Sequence, residues 1–65
     1  MTVEEVRERV AKIELMKDDD ERAHALEDYL HLDVLTAIAK RIGDPAALAL
    51  EALKTMDIKF SRWCA

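Results

Sequence analysis

Two histidines on one helical stretch carry the most recognisable chemistry in this chain. His24–Asp28 and Glu27–His31 are i, i+4 pairs, and with Asp20 they fall along one side of their segment. At that spacing a single helix can present two ligands to a metal ion, imidazole nitrogen and carboxylate oxygen. A closed tetrahedral site would draw further ligands from elsewhere, no cysteine lies nearby, and the HExxH arrangement is absent. The same residues also make an ordinary solvated face opposite a Leu26–Leu30 stripe. That second reading is preferred and assigns no metal and no cofactor.

Catalytic chemistry finds little footing. Gly43 is the only glycine, so no glycine-rich phosphate loop can form. Ser61 lies far along the chain from both histidines. Cys64, beside the terminal Ala65, is poorly placed to hold a nucleophile in fixed geometry. The acid cluster Asp18-Asp19-Asp20-Glu21 lacks the ligand spacing and the glycine bend of a calcium loop. One of its aspartates caps the helix that follows, and the others favour the positive end of that helix's dipole. A non-enzymatic protein is expected.

The elements that hold these side chains are parsed by the only glycine and the only proline, adjacent at Gly43-Asp44-Pro45. Gly43 can adopt the left-handed conformation that closes one helix, Asp44 can cap the next, and Pro45 suits its first turn. Thr2-Val3-Glu4-Glu5 has the pattern of a capping box. Behind it Val3, Val6, Val10 and Ile13 recur at steps of three, four and three, a narrow stripe of the kind that pairs helices lengthwise. The expected helices cover about 3–16, about 20–42 and about 45–56, followed by a tail over 57–65.

In the second helix Ala23, Leu26, Leu30 and Ala37 share one face, while Leu35, Ile38 and Ile42 form a stripe rotated by roughly a quarter turn. Either the helix meets different neighbours along its length or it breaks near Leu32-Asp33; one continuous helix is favoured, since no Gly or Pro intervenes. The third helix is apolar over more than half its circumference and leaves Glu51, Lys54 and Thr55 for solvent. In the tail Ile58 and Phe60 alternate with Lys59 and Ser61, which reads as irregular chain, and Phe60 and Trp63 are expected to fold back over the helices. The fold class is therefore all-α: a small three-helix bundle with an irregular aromatic C-terminal tail, in one domain over 1–65.

Sixty-five residues leave a thin core, and ten of the apolar residues are alanines, which bury little area each. Domains of this size usually recruit a disulfide, a metal or a partner chain. Cys64 is alone, so an intrachain disulfide is excluded, and a protein partner or homo-oligomer is expected. A lone cysteine, a charged N-terminus and the lack of an apolar run near 20 residues point to a soluble cytoplasmic chain without a membrane role. Residues 1–33 carry a net −6 and residues 34–65 a net +2, giving −4 in all. Net acidity works against non-specific nucleic-acid binding, whereas the asymmetry suits partner contacts.

Two resemblances add to this. The segment Ile38-Ala39-Lys40-Arg41-Ile42-Gly43 resembles the first helix and turn of helix-turn-helix DNA-binding proteins, which implies a regulator contacting DNA through Lys40, Arg41 and Lys54. In that family the second helix reads bases with polar and basic side chains; here it would offer Ala46, Ala47, Leu50 and Glu51, a departure from the pattern. Most of the chain, notably "LEDYLHLDVLTAIA" and "LALEALKTMDIKFSRWCA", resembles small uncharacterised proteins of phages that infect actinobacteria. That likeness implies an accessory protein acting by binding in the infected cell. The function expected is a non-enzymatic protein-interaction module whose surface is Val3, Val6, Val10 and Ile13 with any exposed part of Leu50 and Leu53. The DNA-binding regulator is the alternative.

Overall fold

Each helix begins at a side-chain cap. In the computed structural model, which describes residues 1–62, α1 spans Val3–Leu15, α2 spans Asp20–Ala39 and α3 spans Pro45–Ala52; a 3₁₀ turn over Leu53–Asp57 follows. Thr2 Oγ1 accepts from the Glu5 N–H at 3.1 Å, and Glu5 Oε1 accepts from the Thr2 N–H at 3.0 Å, closing the capping box. Asp19 accepts from the Arg22 N–H at 3.1 Å, and Asp44 accepts from the Ala47 N–H at 3.2 Å with Pro45 opening α3. Each cap stabilises its helix by about 1 kcal/mol. The fold is an all-α three-helix bundle, with no strand among the described residues.

Helix α2 runs unbroken through Leu32 and Asp33, as the absence of helix breakers led us to expect. Its 20 residues, at about 1.5 Å each, account for most of the 33 Å long axis of the molecule. Its end differs from expectation. The helix stops at Ala39 rather than near 42, and the left-handed closing residue is Arg41 (φ 59°), not Gly43. The Ile42 N–H bonds the Ala37 carbonyl at 2.9 Å and the Arg41 N–H bonds the Ile38 carbonyl at 3.0 Å, which is the Schellman pattern. Gly43 is also left-handed (φ 77°), but it serves the corner itself. A Cβ there would stand 3.2 Å from both Leu48 Cδ1 and the Met1 carbonyl oxygen, so the missing side chain lets the N-terminus close over α3.

Each helix packs on the other two. The core is Val6, Ile13, Ala23, Leu30, Val34, Ala37, Leu48, Ala52 and Ile58, with Met1, Val3, Val10, Met16, Leu26, Ile38 and Phe60 half-buried against it. The first of the two α2 stripes therefore supplies the core. Phe60 and Ile58 do fold back onto the helices; the expected role of Trp63, and Cys64 and Ala65 with it, lie outside the described residues.

Two expectations are corrected by this packing. Val6 and Ile13 are fully buried and the half-buried Val3 and Val10 lean on the core, so the α1 stripe serves mainly the interior. Glu51 and Thr55, assigned to solvent by the helical wheel, are buried as well. Glu51 and Thr55 lie three and seven residues beyond Leu48 and so share its buried face of the helix.

Candidate functional site

One charged residue of α2 is used inside the molecule. Glu27 was placed on a solvated face; instead it is only 3% exposed, part of the buried row Ala23–Glu27–Leu30–Val34. Its carboxylate is met by the tail: Arg62 Nε donates to Oε1 at 2.7 Å and Arg62 Nη2 to Oε2 at 2.9 Å, a two-pronged pair. The same guanidinium donates to the Thr55 carbonyl at 2.8 Å and lies 3.9 Å over the Phe60 ring. Burial pushes the Glu27 carboxyl up, but the Arg62 hydrogen bonds, the Thr55 hydroxyl and the charges of Arg62 and His31 together bring it below its ordinary value. The Ser61 N–H donates to Asp20 at 3.1 Å, a second tie between tail and α2.

The histidines are separated by these contacts. His31 Nε2 shares a 3.0 Å hydrogen bond with Thr55 Oγ1, while His24 Nε2 lies 3.4 Å from Asp28 Oδ1. Among the described residues no three His, Cys, Asp or Glu side chains converge as a metal site requires. Among the described residues Ser61 Oγ and His24 Nδ1 are each buried without a hydrogen-bond partner, so the two do not bond each other as a serine–histidine nucleophile would.

The residues expected to touch DNA divide. Lys40 and Arg41 are exposed at the α2 end. Lys54 Nζ donates to Glu51 Oε1 at 2.9 Å, and Arg7 Nε donates to the same oxygen at 3.0 Å. Lys54, with Arg7 in support and against the effect of burial, holds the Glu51 carboxyl below its usual range. Lys54 is half-exposed and shares that carboxylate with Arg7, and the outward side of α3 presents Ala46 and Leu50, followed by Leu53 at the start of the 3₁₀ turn, which carry no donors for bases.

Among its charged surface the molecule also leaves large apolar side chains uncovered. Between α2 and α3 runs an open groove of about 240 Å³ lined by His31, Val34, Leu35, Ile38, Ala49, Ala52 and Leu53. Leu35 is 64% exposed on its α2 rim, Leu53 58% on the opposite rim at the start of the 3₁₀ turn, and Leu50 of α3 68%. Leu32, Ile42 and Met56 are also about half-exposed or more. Of the expected second stripe, Ile38 leans on the core, while Leu35 on α2 and Ile42 beyond its end are largely exposed. Leu50 and Leu53, expected at a contact surface, belong to this patch; the four α1 residues expected beside them do not.

Comparison with protein-family models, with curated proteins and with solved structures finds no match to this chain.

Proposed function

We propose that this chain is a non-enzymatic protein-interaction module that buries the α2–α3 face against another protein. The observation that carries the reading is the groove flanked by Leu35, Leu53 and Leu50, an apolar strip on a molecule whose own core holds three alanines among its nine members. Surface leucines scattered singly need no explanation, but a continuous strip beside a groove is how helical domains receive a partner's side chains. The likeness to small phage proteins fits an accessory protein that acts in the host cytoplasm by such binding. A DNA-binding regulator is the weaker alternative, because the outward side of α3 carries apolar side chains where base-reading donors would stand.

The test is site-specific photo-crosslinking in the cell that makes the protein. A crosslinker at Leu53 should give a discrete protein adduct, one at Glu8 on α1 should not, and Leu35→Asp should abolish the Leu53 adduct. Equal labelling from both positions would refute the reading. Binding to duplex DNA that weakens steeply with salt and is lost in Lys40→Ala/Arg41→Ala would replace it with the alternative.

A further inference from the structure

One site in the molecule already has an occupant, and its walls stand without that occupant. The Arg62 guanidinium donates to both oxygens of Glu27 at 2.7 and 2.9 Å and to the Thr55 carbonyl at 2.8 Å. The Ile58 and Phe60 carbonyls accept from it at 3.3 Å each. The Phe60 ring covers one of its faces, 3.9 Å from the guanidinium carbon. We propose that Glu27, Thr55, Ile58 and Phe60 form a guanidinium-binding site. Arg62 fills it in cis, and a free alkylguanidinium cation enters it when the Arg62 side chain is shortened. Residues 58–62 are then a strap latched to the bundle by its own ligand.

Each wall is anchored independently of Arg62. Glu27 lies within α2 and is 3% exposed, and Thr55 is fully buried with its hydroxyl on His31 at 3.0 Å. Ile58 belongs to the core, and Phe60 packs against it. The Ser61 N–H, bonded to Asp20, fixes the chain just beyond. Shortening Arg62 therefore leaves a closed carboxylate and three carbonyls aimed at the place its guanidinium held. Such a carboxylate is strongly unfavourable without a counter-ion, which is the driving force for binding one. A way in exists as well, because the Arg62 side chain is 27% exposed where that of Glu27 is 5%.

Shape selects the cation. Nε and Nη2 meet the two oxygens of one carboxylate as a planar fork, and the flat face rests on an aromatic ring. An ammonium or a sodium ion has the charge but neither the fork nor the face.

The test titrates full-length Arg62→Ala with ethylguanidinium up to about 30 mM at constant ionic strength, following the urea midpoint by circular dichroism. We expect a saturable rise with half-effect on the order of 1–10 mM, the affinity open to so small a ligand. At ten times the dissociation constant the folded-to-unfolded ratio should be about tenfold higher. If Arg62→Ala is largely unfolded alone, the same titration should restore its helicity. Wild type, whose site is filled, and Glu27→Gln/Arg62→Ala, which lacks the carboxylate, should not respond. Ethylammonium should recover far less than ethylguanidinium does. No response of Arg62→Ala would overturn the proposal, and so would an equal response to ethylammonium or sodium. An equal response in wild type or in the double variant would overturn it too, since the effect would then arise elsewhere.

Discussion

Glu27 and Arg62 are where a single atom's loss matters most. Removing one partner leaves a buried charge without its counter-ion, which costs about 3–5 kcal/mol in closed sites and nearer 2–3 here, where Arg62 keeps some contact with water. Glu27→Gln and Arg62→Ala should each lower unfolding free energy by about that amount, read by urea denaturation. The pH dependence has a definite sign. Because the folded-state Glu27 carboxyl titrates below its unfolded value, its contribution is complete above the ordinary carboxylate range and is lost as pH falls through the folded value. The stability gap between wild type and Glu27→Gln should therefore close as pH is lowered from about 5 to below about 3. A clue to this pair stood in the sequence, since Glu27 interrupts the row Ala23–Leu30–Val34, but nothing in the spacing of an irregular tail said that Arg62 would reach it.

At the scale of elements, the corner between α2 and α3 shows how local rules share the work. The Asp44 cap and the Pro45 start follow from residue type alone and are found as expected. The helix stop is different: Arg41 occupies a left-handed position that costs an L-residue roughly 1–2 kcal/mol, sustained by the two Schellman hydrogen bonds and by the pull of Gly43 and Leu48 into the corner. Arg41→Gly should raise thermal stability by about 1 kcal/mol, and Gly43→Ala should lower it by at least as much, since its Cβ meets Leu48 and the Met1 backbone; melting curves of both variants measure this. Helix α1 was legible in its bounds but not in its duty. A narrow stripe of Val3, Val6, Val10 and Ile13 suits an outward seam as well as an inner one, and only the approach of α2 and α3 makes it core.

For the whole molecule, thinness is the governing quantity. With net stability of only about 3–5 kcal/mol expected at this size, a Leu30→Ala cavity costing about 2–4 kcal/mol should bring the isolated chain to the edge of unfolding by circular dichroism. Leu53→Asp should leave the fold intact in the same assay, because most of Leu53 is already in water. The contrast between those two leucines separates interior from contact surface. Helix number, helix starts and the continuity of α2 were settled by the sequence itself, because caps, breakers and apolar periodicity act over one to four residues. Which apolar stripe faces inward, which glutamate is paired and which leucines are left in water were decided only by tertiary structure. Those depend on where three helices and a tail meet in space, and no short-range pattern encodes that meeting.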